Sequence, residues 1–431
     1  LEHLPEHNSP PQPPLVEDHI RYQGEPVAVV AAETVFQAED AKGEISMDYK
    51  EKPAVTTVQA ASAGNVNIAS EMEFGSGIPK NDAAVRLEAR FSFARQTGVT
   101  LEPRGIVADY DELTGELAVW QPHQSPHLVQ VLLARMLGMP ENRLRVQAGD
   151  VGGGFGVKLH LYADEIAAVL AARLLGRPVK YVATRMESFQ SDVHAREFEA
   201  VASISFTENG ELIGMDGDFN NAIGAYSIFP RSSIGDSIQA AMQLGAPYKM
   251  KSMYGKTRTF WQNKPPSGAI RGVGQPIPCT VTEQLIDMMA RHQGQDPATI
   301  RRRHYLAADE FPFKTLGGIY MDRLSLRECL DLLIEKMSYP ELRAEQERLR
   351  NEGILRGIGI ATFVEQTALG PGLYGVAGVP ATSVEECRIR VEADGSIRVE
   401  TGATDQGQGT LTGIRQIVAE ILGLDLSKVY V

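Results

Sequence analysis

Between Asp150 and Lys158 the chain reads Asp-Val-Gly-Gly-Gly-Phe-Gly-Val-Lys. Gly152, Gly153, Gly154 and Gly156 let backbone amides press against a large polar group and permit φ > 0, so successive N–H groups can form an anion-binding concavity. A plain tight turn would also favour glycine and stays open as the simpler reading. Two nucleotide-binding readings fail. A P-loop needs Gly-Lys followed by Ser or Thr, whereas Val157 separates Gly156 from Lys158 and Leu159 follows. A dinucleotide fingerprint needs a third glycine where Val157 stands, and its downstream acidic residue is replaced by Gly176-Arg177-Pro178.

Other reactive side chains are scattered. Cys279, Cys329 and Cys387 lie too far apart for a C-x-x-C site, so no zinc knuckle or iron–sulphur cluster is signalled, and reduced, buried thiols are expected. His3 with His7 and His123 with His127 have H-x-x-x-H spacing. Pro5 and Pro126 interrupt them, so neither pair is expected on a helix and no residue is assigned as a metal ligand.

The elements that must position these residues alternate in type. The Pro-rich opening Pro10 to Pro14 is an extended lead-in and no signal peptide, and the natural chain is expected to begin earlier. Val27 to Ala32 reads as a buried strand, Val35 to Lys42 as a helix and Ile45 to Tyr49 as an alternating strand, which together make a small α/β unit. Helices are expected over Leu128–Leu137, His160–Leu175, Val281–His292 and Pro297–Leu306, with glycine or proline stops and Asp296 as an N-cap. Strands over Leu117–Trp120, Val179–Ala183, Ala200–Phe206 and Ile397–Thr401 complete an α+β pattern.

The chain has 431 residues, enough for two or three domains with proper cores. Its net charge of −13 disfavours nucleic-acid binding, which rests on basic surface. The apolar stretch Ile166–Leu175 is too short for a bilayer and carries Arg173, so no membrane association is expected and the protein is placed in the cytoplasm.

One pattern repeats. Leu133 to Val146 aligns without a gap on Val418 to Val431, each copy a helix, a glycine (Gly138, Gly423) and a strand. Each copy is preceded by a strand after a Gly turn (Gly115, Gly395) and by a glutamine-bearing loop (Gln124, Gln408). The first copy continues into the glycine loop, so both glutamine loops and the glycine loop are expected to converge on one ligand. The second copy stops at Val431 before its equivalent loop, and a separate chain or a continuation is expected to complete the fold.

Asp150 to Lys158, Gln124-Ser125-Pro126-His127, Gly268 to Pro276 (Gly-Ala-Ile-Arg-Gly-Val-Gly-Gln-Pro) and Gln406-Gly407-Gln408-Gly409 occur in that family's set of landmarks: the chain resembles the molybdenum–pterin subunit of the xanthine dehydrogenase and aldehyde oxidase family. Arg21 to Pro26 and Leu101-Glu102-Pro103-Arg104-Gly105 support it. The resemblance implies a small α/β domain over residues 1–65, a first molybdopterin-binding domain over 66–310 and an incomplete second over 311–431. It implies a hydroxylase whose molybdenum, held by a pterin dithiolene in a dinucleotide form, inserts water-derived oxygen into an electron-poor carbon. Gln124 then matches a glutamine that donates to a metal oxo group, and Gly153, Gly154, Phe155 and Gly156 match the loop against the same centre. Arg271 matches an arginine between cofactor and substrate, and Gln406 with Gln408 matches a loop at the pterin and its phosphates.

Departures narrow the substrate. Gly272 stands where carbon monoxide dehydrogenases carry a copper-binding cysteine, and Leu159 stands where purine oxidisers carry glutamate, leaving an aldehyde or an aromatic N-heterocycle. The family's base glutamate lies beyond Val431, and Glu365 is a candidate by residue type alone. The implied partners are the chain or continuation carrying that glutamate, an iron–sulphur subunit and an FAD subunit. A non-catalytic binding or assembly protein is the rival reading, against which Gln124, Arg271 and Gln408 stand intact.

Overall fold

Two sheets and a C-terminal βαβ unit organise the computed structural model, which describes residues 9–63, 68–76, 84–229, 232–367 and 386–431. In chain order the strands of these two sheets are β1 (Ile68–Ser76), β2 (Val85–Phe93), β3 (Gly105–Asp111), β4 (Glu116–Trp120), β5 (Leu144–Gln147), β6 (Val179–Val182), β7 (Phe198–Phe206), β8 (Leu212–Ala222) and β9 (Ser252–Phe260). The larger sheet has the order β1-β9-β8-β7-β2 and is antiparallel except where β8 meets β9. Helix Pro276–Gln293 packs on β2 and β7 and buries Ile277, Val281, Leu285, Ile286 and Met289. Fully burying each such side chain stabilises the fold by about 1.5–3 kcal/mol.

The smaller sheet has the order β5-β4-β3-β6. Helix Pro126–Leu137 leaves it after β4, stops at Gly138 (φ 61°) and returns through a 3-10 turn, Glu141–Arg143, into β5, parallel to β4 with Leu144 opposite Leu117. The C-terminal unit repeats this path. Helix Thr410–Leu422 stops at Gly423 (φ 65°), turns at Leu426–Lys428 and enters Val429–Tyr430, parallel to Ile397–Thr401 with Val429 opposite Ile397. Leu133 and Leu144 are buried in the first copy and their aligned counterparts Val418 and Val429 in the second. The repeat read from sequence is therefore a repeat of structure, and the architecture is mixed α+β.

Four expectations are corrected. Val27–Ala32 and Ile45–Tyr49 form no strand; Val27, Val29, Ile45, Met47 and Tyr49 are exposed because no neighbouring strand among the described residues offers either segment a ladder. Only the helix between them, Val35–Gly43, forms, capped by the Thr34 hydroxyl and the Gln37 side chain. Pro126 begins a helix rather than interrupting one, since at the first position its missing N–H is not needed, and His127 therefore is helical. Residues 157–162 are a 3-10 turn and an extended link, so the helix expected from His160 starts at Ala163. Cys329 and Cys387 are exposed and Cys279 half-buried. His3 and His7 lie outside the described residues.

Candidate functional site

The glycine loop lies between β5 and helix Ala163–Leu175, and its backbone is left-handed at Gly153 (φ 92°), Phe155 (φ 52°) and Gly156 (φ 95°). A bulky residue at positive φ stores backbone strain that the surroundings must hold, and such strain clusters at functional sites. What holds it is visible. Gly156 N–H donates to Gln124 Oε1 at 2.8 Å, Gln124 N–H donates to Lys158 O at 2.9 Å, and Phe155 O accepts from Arg271 N–H at 2.9 Å.

Those contacts join three loops. Because Gly156 N–H occupies the Gln124 oxygen, the amide orientation is settled and the Gln124 NH2 remains as a donor. The N–H groups of Gly154 and Phe155 have no protein acceptor among the described residues. Gly154 faces Gln124 and Gln406 so closely that a Cβ there would lie 2.7 Å from Gln124 Cδ and 2.8 Å from Gln406 Oε1. At Gly156 a Cβ would meet Ala269 O at 2.3 Å.

The fourth loop comes from the second repeat copy. Thr404 Oγ1 donates to Gln124 O at 3.2 Å, and a Cβ at Gly402 would meet His127 Nε2 at 3.3 Å. Gln406 Nε2 donates to Thr404 Oγ1 at 3.1 Å, which leaves its oxygen toward Gly154. Gln408 is exposed and ties its own loop, accepting from Gln406 N–H at 2.5 Å and donating to Thr404 O at 3.1 Å. Arg271 has an exposed side chain on a backbone fixed from both sides, since its carbonyl also accepts from Arg196 Nη2. Glu365 is exposed beside this region, its neighbour Gln366 donating backbone N–H to Gln275 Oε1 at 2.7 Å.

Sequence reasoning missed the residues beneath the loops. His160 Nδ1 bonds Phe229 O at 2.8 Å, so Nε2 accepts from Ala269 N–H at 2.8 Å and ties the glycine loop to the Arg271 loop. Buried Lys158 is paired with Glu102 at 2.7 Å; burial holds its ammonium below the ordinary lysine range, against the opposing pull of that carboxylate. Arg196, left-handed at φ 71°, is buried and has Nη1 without a partner among the described residues. Burial pushes His123 down to about 4, so it stays neutral and its Nδ1 accepts from Ser125 N–H at 2.9 Å. A lysine and a histidine two and four residues after the last glycine of the loop are the signal that could have found Lys158 and His160.

The cleft's donors are thus neutral amides and N–H groups, with one exposed guanidinium. Such donors stabilise charge on oxygens without competing as metal ligands. Among the described residues no three His, Cys, Asp or Glu side chains gather to hold a metal ion, and no helix is long and apolar enough to cross a membrane. A cavity of about 20 Å³ beside Tyr248 and Phe313 lies elsewhere, in the large-sheet core.

Models of the molybdopterin cofactor-binding domain match residues 27–305 and 332–431. The nicotine 6-hydroxylase large subunit of Paenarthrobacter nicotinovorans is 30% identical over 97% of this chain and 53% of its own length. The carbon monoxide dehydrogenase large chain of Hydrogenophaga pseudoflava is 26% identical over 95% of this chain and 54% of its own length. The crystal structure of quinoline 2-oxidoreductase from Pseudomonas putida 86 superposes with a TM-score of 0.92 at 31% identity, over 99% of this chain and 56% of that one. The chain spans about half the length of the curated relatives it matches. It belongs to the molybdopterin-binding large subunits of the xanthine dehydrogenase family.

Proposed function

We propose that this chain forms one side of the molybdenum–molybdopterin cleft of a hydroxylase that oxidises an aromatic N-heterocycle with water-derived oxygen. The observation that carries the reading is the interlock at Gly154, where absence of a side chain lets Gln124, Gln406 and two acceptor-less N–H groups share one cradle. That cradle suits the cofactor, which when bound supplies a metal able to take two electrons from an electron-poor carbon. Gln124 NH2 and the N–H groups of Gly154 and Phe155 would donate to its oxygens, while Gly153 and Gly156 keep the backbone turned toward it. Gln406 would face the pterin, and Gln408 holds the loop that carries the phosphate contacts of a dinucleotide form. Arg271 would orient the substrate's electron-rich edge.

Relatives named for nicotine and quinoline favour a heterocycle over an aldehyde, and Gly272 and Leu159 disfavour copper and purine chemistry. The proposal extends to residues 1–65, 66–310 and 311–431 as domains, a base glutamate on the remaining polypeptide, and iron–sulphur and FAD partners that carry electrons away. The cytoplasm is assigned, which the unpaired cysteines suit. The test is purification of the full-length polypeptide with its partners, followed by molybdenum and pterin assays and heterocycle-dependent dye reduction. We expect both cofactor components, and a loss of about a hundredfold or more in kcat for Gln124→Ala. Protein containing neither molybdenum nor pterin would overturn the reading.

A further inference from the structure

The glycine loop is anchored by a carboxylate that no part of the reading above uses. One oxygen of Glu102, Oε2, accepts from Gly152 N–H at 2.7 Å and from Lys158 Nζ at 2.7 Å, so a single atom grips both ends of the loop. Glu102 N–H also donates to Gly152 O at 3.1 Å, and a Cβ at Gly152 would lie 2.4 Å from Glu102 Cβ, so the two backbones are in direct contact. Glu102 is itself held from behind. Thr100 Oγ1 donates to Glu102 O at 2.6 Å, and Arg185 Nη2 donates to Thr100 O at 2.7 Å and Leu101 O at 3.1 Å. At the far end, Lys158 O takes Gln124 N–H, and Gln124 Oε1 takes Gly156 N–H. The circuit Glu102–Gly152–loop–Lys158–Gln124–Gly156 is closed.

A glycine-rich loop is costly to order, because glycine loses more conformational freedom than any other residue. Charge-assisted bonds from an anchored carboxylate offset that cost, and a loop already in its bound shape binds more tightly. We propose that Glu102, with Lys158, is a positioning residue that latches the Gly152–Lys158 loop in the shape that presents the Gly154 and Phe155 N–H groups. The proposal rests on the cofactor reading only for what those N–H groups face; the latch itself is a property of the free loop.

The test uses the full-length polypeptide with its partners, as Glu102→Ala, Glu102→Gln, Lys158→Met and the Glu102→Ala/Lys158→Met pair. Backbone hydrogen exchange is followed at residues 152–158 and, as a control, at 198–222, beside thermal melting and the rate of pterin loss on dialysis. Glu102→Ala and Lys158→Met should each raise exchange at 152–158 by about tenfold or more, as expected for a lost bond to a charged group. Exchange at residues 198–222 should stay near that of the parent protein, while the melting temperature falls in Glu102→Ala, which leaves buried Lys158 without its carboxylate, and falls less in Lys158→Met. Pterin loss should accelerate in step, Glu102→Gln should fall between parent and Glu102→Ala because its amide oxygen still accepts from Gly152, and the double variant should be no worse than the worse single one. Unchanged exchange at 152–158, an equal rise at 198–222, or additive effects in the double variant would each overturn the latch. Should the parent protein hold no pterin while exchange still rises at 152–158, the latch stands and the cofactor reading falls.

Discussion

At the scale of single residues, the cleft depends on side chains that are not there. An alanine at position 154 would press on Gln124 Cδ at 2.7 Å, and that amide cannot yield without giving up the Gly156 N–H that holds its oxygen. Position 156 is harsher, because the obstacle is the Ala269 carbonyl at 2.3 Å and the residue sits at φ 95°. Gly154→Ala is therefore expected to abolish cofactor retention while costing about 1 kcal/mol of stability, the worth of the displaced Gly156–Gln124 bond. Gly156→Ala should lose the cofactor and also about 2 kcal/mol or more of stability, from backbone collision and strain together. Pterin content and chemical denaturation of both variants separate the cases, and equal destabilisation of the two would contradict this assignment of causes.

At the scale of elements, the two copies of the helix–glycine–strand path allow the same substitution to be made twice. Gly138 and Gly423 both end their helices left-handed with open space on the side a methyl group would occupy, so replacement meets only the strain of the backbone conformation. Gly138→Ala and Gly423→Ala should each cost about 1 kcal/mol, matched to within about 0.5, by urea denaturation of the full-length protein. A cost several times larger in one copy would mean that the copies are not equivalent. These elements were legible in the sequence because their signals are local: glycine stops, the Asp296 cap, and apolar spacing on helices Pro126–Leu137 and Pro276–Gln293. The order β1-β9-β8-β7-β2 was not legible, since pairing β1 with β9 joins segments far apart in the chain. For the same reason the glycine loop was visible and its Glu102 anchor was not. Val27–Ala32 misled because an apolar run predicts burial only if something lies beside it.

At the scale of the whole molecule, buried Arg104 ties the smaller sheet to two helices beneath the site. It binds Asp164 at 2.9 Å, Glu165 at 3.2 Å and Asp192 at 2.5 Å, and lies 3.8 Å above the Tyr162 ring. Three carboxylates around one guanidinium leave excess negative charge, and the site resolves it unevenly. Burial, with the Asp164 charge adding to it, pushes Glu165 up to about 7, although Arg104 pulls the other way. Burial also opposes ionisation of Asp164, but there the Arg104 guanidinium wins and holds the carboxyl below the ordinary range. The signs then differ. A raised carboxylate binds its proton more tightly folded than unfolded, so between the ordinary value of 4.5 and about 7 Glu165 withdraws stability as pH rises. Asp164, depressed, contributes stability above its ordinary value of 3.8 that is lost as pH falls through its folded value. Glu165→Gln keeps an acceptor for Tyr162 N–H and cannot ionise, so its melting temperature should gain on the parent protein's steadily from pH 4.5 to 7 and hold that gain above. Asp164→Asn leaves Arg104 short of its bidentate partner and should cost about 3–5 kcal/mol at neutral pH, the deficit shrinking as the solution is made acid enough to protonate Asp164. Melting curves of the three proteins across that range decide the matter, and a pH-independent gap between the parent and Glu165→Gln would show that Glu165 is ionised throughout.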